Sequence, residues 1–180
     1  AYTVEAAEGA GQVRVGLRVQ LSGSVGGEGG DFEAGFGLAV HLNEEVEPFY
    51  TAYVALDEAG ASASSTGGTL GVDDLQPIQD GYELSGFEEV YYFWVDPGTF
   101  SLVFYLDAWG KVGSYVSPAE GWAQGSALDT AQVWVFPADP NITAFGSASG
   151  QLGPVPLPGS LLLLGSGLLG LAGLRRRQAA

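Results

Sequence analysis

The side chains of this sequence that could do chemistry are carboxylates rather than thiols or imidazoles. The 180 residues include 21 Asp and Glu, one His and no Cys. Without Cys, thiol catalysis and zinc–thiolate sites are excluded. The single His41 gives no support to a multi-histidine zinc site or a catalytic triad. Because His41 follows an apolar run, we expect a structural or surface role for it.

Two acidic clusters could bind a cation. Glu44-Glu45-Val46-Glu47 is one, and Asp73, Asp74 and Asp80 form the other, both in segments that we expect to be loops. Calcium takes roughly six to eight oxygen ligands, which the loops of a β-sandwich can supply. Asp73, Asp74 and Asp80 are therefore the candidate calcium ligands, although a solvated acidic surface explains the same pattern. We expect no other cofactor.

Aromatic side chains offer a second kind of site, because an exposed ring can stack on the apolar C–H face of a sugar. Core packing accounts for most of them. Trp109 and Trp122 stand beside Gly in turn-like segments and are the candidate glycan-stacking residues. Paired carboxylates could also serve a glycosidase. A chain this small has little room for a deep cleft, so we expect no enzyme.

Strands must position these side chains. Residues 12–25 and 32–42 alternate apolar and other residues with a period of two, which indicates half-buried strands. Further strands are predicted at residues 49–56, 90–95, 100–106, 131–136 and 141–147. We expect residues 26–30 to be a turn or loop and residues 61–68 a flexible surface loop.

The clearest hairpin is predicted around Asp96-Pro97-Gly98-Thr99, whose residue types suit a type II turn between residues 90–95 and 100–106. Both of these strands carry large side chains on both faces, so we expect them to lie centrally. Roughly seven to nine short strands with frequent turns predict an all-β fold, an antiparallel β-sandwich of jelly-roll or immunoglobulin-like topology.

Charge separates the chain into two parts. Residues 1–154 hold three basic residues against all 21 acidic residues, a formal charge of −18. Such a charge repels nucleic acid, so nucleic-acid partners are excluded. The other three basic residues are Arg175, Arg176 and Arg177, close to the C-terminus.

The C-terminal 26 residues have the properties of a membrane signal. Residues 155–174 carry no charge and would form a helix of about 30 Å, the thickness of a bilayer core. We expect the three arginines to stay on the cytoplasmic side and residues 1–154 to lie on the exported side. A buried helix of a soluble protein is the alternative, but such helices rarely stand between prolines and an arginine cluster.

This tail resembles a PEP-CTERM sorting signal of the VPLPA-type variant, a substrate of exosortases in Gram-negative bacteria. The resemblance rests on Val155, Pro156, Leu157 and Pro158, on the apolar segment, and on Arg175, Arg176 and Arg177. Leu157 stands where the commoner form has Glu, and Gly159 where the variant has Ala. The resemblance implies export, transient anchoring in the inner membrane, and cleavage near the proline motif.

We therefore divide the chain into a β-sandwich domain (1–146), a Ser/Gly/Pro linker (147–154) and a sorting signal (155–180). The signal comprises the motif (155–158), a transmembrane helix (159–174) and a basic stop (175–177). The chain has no Met and begins with Ala1; removal of the initiator Met from a cytosolic protein would leave the same residue, but the C-terminal tail favours removal of a signal peptide, which we expect.

Three functions remain open from the sequence. The first is a non-enzymatic structural protein of the cell surface or extracellular matrix (biofilm). The second is a subunit of an extracellular filament with a retained tail helix or exchanged strands. The third is a carbohydrate-binding module for matrix polysaccharide. The expected partners are the exosortase and inner membrane during sorting, then polysaccharide or further copies of the chain.

Overall fold

The computed structural model describes residues 1–113, 121–127 and 131–148. Those residues form twelve β-strands and one 3-10 helical turn (Val72–Asp74), and no α-helix occurs among them. The strands are β1 (Tyr2–Ala6), β2 (Val13–Gly29), β3 (Phe32–Leu42), β4 (Tyr50–Asp57), β5 (Gly60–Ser65), β6 (Leu75–Ile78), β7 (Gly81–Val95), β8 (Gly98–Phe100), β9 (Leu102–Val112), β10 (Gly121–Ser126), β11 (Ala131–Pro137) and β12 (Ile142–Ser147). The prediction of an all-β fold is confirmed.

The strands form three sheets in which every pairing is antiparallel. In the first sheet the order is β10-β2-β7-β6, and β11 pairs with β2 beside β10. The second sheet has the order β5-β4-β3-β9. A small third sheet joins the two ends of the domain in the order β12-β1-β8.

The first and second sheets pack face to face and share one core. The alternation predicted for β2 is confirmed, since Val13, Val15, Leu17, Val19 and Leu21 are all fully buried. Their apolar neighbours come from β3 and β4, which present Phe36, Val40, Tyr50 and Val54 to the same core. Each buried Val or Leu stabilises the fold by about 1.5–3 kcal/mol relative to an exposed one.

The prediction of a turn at residues 26–30 is wrong, because β2 continues through Gly29. Both edges of this glycine-rich end are paired: Gly26 lies opposite Gly81 of β7 and opposite Gln124 of β10. Aromatic rings occupy the space that side chains would fill. The ring of Phe32 lies against Gly27, and that of Trp122 lies against Gly26.

The predicted hairpin around Asp96-Pro97-Gly98-Thr99 is also wrong. β7 belongs to the first sheet, whereas β9 pairs only with β3 among the described strands and forms an edge of the second. The chain between them crosses from one sheet to the other through β8, which pairs with β1. Only β7 lies centrally, between β2 and β6.

Residues 61–68 do not form the predicted flexible loop. Ala61 to Ser65 belong to β5, which pairs with β4 from Ala52 to Asp57. The alternating Ala and Ser residues suit an edge strand with one half-covered face. Sequence patterns also missed β1, β6 and β10, which are short or rich in small and polar residues.

Among the described residues, no helix is long and apolar enough to cross a membrane. The predicted transmembrane helix (159–174) lies outside those residues, and so does nearly all of the predicted linker (147–154). The choice between a jelly-roll and an immunoglobulin-like topology stays a prediction.

Candidate functional site

The outward side of the first sheet carries aromatic and arginine side chains together. β2 contributes two arginines, β7 contributes a tyrosine and a tryptophan, and β11 contributes a tryptophan and a phenylalanine. Because side chains alternate along a strand, all six lie on the side opposite the core. We call this surface the aromatic–arginine face; it consists of Arg14, Arg18, Tyr92, Trp94, Trp134 and Phe136.

A glycine at the centre of this face brings two aromatic rings together. Gly16 of β2 lies between Tyr92 of β7 and Phe136 of β11 in the strand register. The ring of Phe136 covers Gly16 and meets Tyr92 edge to face, with 6.4 Å between ring centroids. A side chain at Gly16 would occupy the position of the Phe136 ring, so the glycine permits this aromatic pair.

Arg18 is held between a ring and a carboxylate. Its guanidinium carbon lies 5.3 Å from the ring centroid of Trp134, and its Nη2 lies 2.7 Å from Oε1 of Glu88. Gln20 Nε2 donates to the other oxygen of Glu88 at 2.6 Å. The hydrogen bond from Arg18 lowers the pKa of Glu88, with a further contribution from Gln20. Glu88 is therefore ionised at neutral pH and fixes the orientation of Arg18.

Arg14 occupies the other end of the face. Its guanidinium carbon lies 4.9 Å from the ring centroid of Tyr92, and its Nη2 donates to the carbonyl of Ala138 at 3.3 Å. The backbone N–H of Arg14 donates to Asp139. Hydrogen bonds from the backbone of Asn141 and then of Arg14 lower the pKa of Asp139. Asp139 therefore stays charged beside Arg14.

The face is close to electrically neutral and partly concave. Arg14 and Arg18 are balanced by Asp139 and Glu88, although the net charge of residues 1–154 is −18. Trp94 is 56% exposed and Tyr92 is 47% exposed. A depression of about 550 Å³ lies between β7 and β11, lined by Arg18, Glu88, Val90, Trp134 and Phe136.

The neighbouring residue on β7 faces the core. Glu89 is only 4% exposed and lies opposite Val19. Its carboxylate accepts hydrogen bonds from Tyr50 Oη at 2.7 Å, Thr69 Oγ1 at 2.6 Å and Ser65 Oγ at 3.1 Å. Burial, followed by the contact with Glu89, raises the pKa of Tyr50 far above its ordinary value. These bonds fasten the segment after β5 to the core.

A depression of about 670 Å³ on the second sheet includes His41. His41 Nδ1 lies 2.9 Å from the carbonyl oxygen of Glu45, and the ring meets Tyr105 edge to face. Glu44, Glu45 and Asp107 also line this depression. His41 thus takes part in holding the loop after β3, in agreement with the structural or surface role predicted for it.

The structure does not assemble the predicted calcium ligands. Asp73 and Asp74 lie on the 3-10 turn, where Asp74 Oδ2 accepts a bond from the N–H of Gly71. Asp80 lies between β6 and β7 with a left-handed backbone, φ 64°. Within residues 1–113, 121–127 and 131–148, no group of three or more His, Asp or Glu is arranged to hold a metal ion.

The two predicted glycan-stacking residues lie on opposite faces of the domain. Trp109 of β9 is half-buried over Gly35, on the outward side of the second sheet. Trp122 of β10 is 40% exposed over Gly26, on the outward side of the first sheet. They cannot line one site. Trp122 also lies beyond the aromatic–arginine face, near the far end of β2.

Part of the aromatic–arginine face was visible in the sequence. The alternation of β2 places Arg14 and Arg18 on the side opposite the core. The sequence does not show which strands pair, because no local pattern indicates that β7 and β11 lie on either side of β2. From the sequence pattern alone, Tyr92, Trp94 and Trp134 are therefore predicted to be core residues.

The predicted sorting residues lie outside the described residues; they are Val155, Pro156, Leu157, Pro158, Arg175, Arg176 and Arg177. No curated protein and no solved structure matches the chain. A family model of the PEP-CTERM protein-sorting motif matches residues 154–177. The tail of this chain is therefore a PEP-CTERM sorting motif, which marks the protein for export and sorting by an exosortase to the cell surface.

Proposed function

We propose that the protein is a non-enzymatic structural component of the cell surface or extracellular matrix (biofilm). The observation that carries this proposal is the sorting motif at residues 154–177, joined to an antiparallel β domain. The core of that domain is filled with apolar side chains, and Glu89, the one buried carboxylate among the described residues, is held by hydrogen bonds. A net charge of −18 over residues 1–154 favours solubility outside the cell.

In this proposal the tail acts before the β domain reaches its destination. Residues 159–174 anchor the chain in the inner membrane, with Arg175, Arg176 and Arg177 on the cytoplasmic side. The exosortase then cleaves near Val155, Pro156, Leu157 and Pro158, and the β domain is released or transferred to the surface. In this scheme the sorting signal takes no part in what the β domain does after its release.

Cell fractionation with mass spectrometry of the C-terminus tests the route. We expect the mature protein at the surface or in the matrix, with a C-terminus near residue 158. Replacing Pro156 and Pro158 with Ala should leave uncut chains in the inner membrane. The matched control is Pro77→Ala and Pro97→Ala within the β domain, which should be exported normally. A cytosolic protein with residues 155–180 intact contradicts the proposal.

A second candidate function is a subunit of an extracellular filament, and the exposed edge of β9 favours it. β9 pairs only with β3 among the described strands, so its other edge lacks a strand partner there. Phe104 is 40% exposed and Leu106 is 48% exposed, although both lie in register with buried residues of β3. β10 packs against β9 near Gly110, so the apolar edge that is open to pairing with another strand is the part that holds Phe104 and Leu106.

Electron microscopy and sedimentation of the secreted protein test this second function. The change is Phe104→Lys with Leu106→Lys, which places two charges on the edge and should abolish assembly. Val72→Lys is the control, because Val72 is 48% exposed on the 3-10 turn, which contacts β5 at the opposite edge of the sheet from β9. Filaments that persist in the double variant exclude assembly through β9, and a solely monomeric wild-type protein excludes the filament function.

A further inference from the structure

We propose that the aromatic–arginine face binds a neutral polysaccharide chain. This inference rests on the proposed function, since only an exported domain meets an extracellular polysaccharide. It locates the site on β2, β7 and β11, whereas the residues selected from sequence were Trp109 and Trp122. The shape, the charge and the side chains of the face indicate this class of ligand.

The face offers both kinds of contact that a sugar requires. A sugar ring presents an apolar C–H face and a rim of hydroxyl groups. Trp94 and Tyr92 are about half exposed and provide aromatic surfaces for the C–H face. Beside the depression, Arg18 and Gln20 supply donors and Glu88 supplies acceptors for hydroxyl groups.

These polar side chains are already held in place before a ligand arrives. Glu88 is bound by both Arg18 and Gln20, and Arg18 lies over Trp134. Arg14 lies over Tyr92 in the same way. Groups whose orientation is fixed beforehand lose less conformational freedom when a ligand binds.

The length of the face favours a chain over a single sugar. Trp134 and Trp94 are separated by two strand spacings across the sheet and by four residues along it. At roughly 4.8 Å per strand and 3.3 Å per residue, their backbones lie about 16 Å apart. This distance accommodates more than one sugar ring in a row.

Charge selects a neutral chain over an acidic one. Arg18 is paired with Glu88, and Asp139 accepts the backbone N–H of Arg14 and lies close enough to interact with its charge, so the face has no excess positive charge with which to bind carboxylates. The domain around it carries −18 and repels a polyanion. A neutral polysaccharide is not subject to this repulsion.

A second copy of this chain is disfavoured as the occupant of this face. A depression of about 550 Å³, lined by aromatic and hydrogen-bonding side chains, suits a sugar ring better than the surface of another domain. Self-association through this face is therefore an outcome that the experiment must be able to detect.

The four tryptophans of the chain permit a direct test, because two lie on the face and two do not. In the full chain, Trp109→Phe with Trp122→Phe leaves Trp94 and Trp134 as the only tryptophans, and excitation at a wavelength that tyrosine does not absorb makes them the reporters. The converse variant, Trp94→Phe with Trp134→Phe, leaves only the two that lie elsewhere. The probes are cellohexaose and mannohexaose as neutral chains and hexagalacturonate as the acidic chain.

We expect a neutral hexasaccharide to shift the emission of the first variant and not that of the second. Trp94→Ala and Trp134→Ala should each weaken binding by about tenfold, and Trp109→Ala should leave it unchanged. Binding should not vary between low and high salt, because no net charge is neutralised. Melting curves of each variant confirm that the fold is intact.

Four results would overturn the inference. The first is that neither neutral probe shifts the tryptophan emission, and the second is that both double variants show the same shift with sugar. The third is that hexagalacturonate binds more tightly than the neutral probes and in a salt-dependent way. The fourth is that the shift in emission comes from dimerisation of the protein rather than from bound sugar. Sedimentation identifies the last of these. Sugar binding is measured on purified protein, so a negative result does not affect the proposal of export and a matrix role. A protein that fractionates in the cytosol contradicts that proposal but does not change the measured sugar binding.

Discussion

Two adjacent glutamates on β7 have the same side chain and opposite environments. Glu88 points outward into the aromatic–arginine face, where Arg18 and Gln20 share its carboxylate with solvent. Glu89 points into the core, where Tyr50, Ser65 and Thr69 enclose it. The difference teaches that the pleat of a strand, rather than residue type, decides whether a carboxylate contributes to stability or to a surface.

The interior glutamate should matter far more to stability than the exterior one. A buried carboxylate or donor that loses its hydrogen-bond partner has no water to replace it. The free energy of unfolding therefore decreases by the desolvation free energy of that group. An exposed carboxylate exchanges its partner for water at little cost.

Glu89→Ala should destabilise the domain by about 3–5 kcal/mol, because three side-chain donors lose their common acceptor in the core. Urea unfolding followed by circular dichroism measures the change. Glu83→Ala on the same strand is the control, since Glu83 is exposed and should alter stability by less than about 0.5 kcal/mol. Equal effects of the two substitutions would remove the contrast.

Gly16→Val should destabilise the domain by about 2 kcal/mol, because the new side chain competes with the Phe136 ring for the same space. It should also abolish the proposed glycan binding, since Phe136 and Tyr92 can no longer meet across β2. Gly146→Val is the matched control, because nothing lies near the position that its side chain would take. Unchanged melting and binding in Gly16→Val would show that the aromatic pair is not required.

These glycines show where sequence reasoning succeeds and where it stops. Alternation along β2 and β3 predicted the core face, because burial of apolar side chains follows the pleat directly. The run from Gly26 to Gly30 has the composition of a turn, and glycine alone carries no information about the strands and rings that lie beside it. Phe32 and Trp122, which cover these glycines, are brought there by pairing and by packing across the domain.

The same limit explains the false hairpin. Asp96-Pro97-Gly98-Thr99 has the residue types of a tight turn, and local chemistry predicted one. The strands on either side find their partners elsewhere: β7 pairs with β2 and β9 pairs with β3. Long-range pairing is set by which sheets share a core, and no short motif encodes it. The sorting tail was recognisable because its order of motif, apolar segment and arginines is local.

Tyr50→Phe should destabilise the domain by about 1 kcal/mol, through loss of one hydrogen bond to Glu89. It should also flatten the alkaline side of the stability profile. The folded state raises the pKa of Tyr50, so its contribution is complete below pH 10 and decreases as ionisation of the unfolded chain begins above that value. Unfolding measured from pH 8 to 11 compares the two proteins. Tyr53→Phe, at an exposed tyrosine, is the control.

Glu88→Gln should give the smallest change in stability, near the limit of detection in a melting curve, because both partners remain solvated. Its effect should depend on pH. Arg18 lowers the pKa of Glu88 in the folded state, so the contribution is present above the ordinary Glu range and is lost as pH falls through the folded value. Melting curves from pH 3 to 7 should therefore converge for wild type and variant at the acidic end.

Glycan binding by Glu88→Gln, by contrast, should weaken clearly at neutral pH, because Arg18 loses the charged partner that orients it. A variant that binds as well as wild type would show that the outer glutamate is not required for recognition.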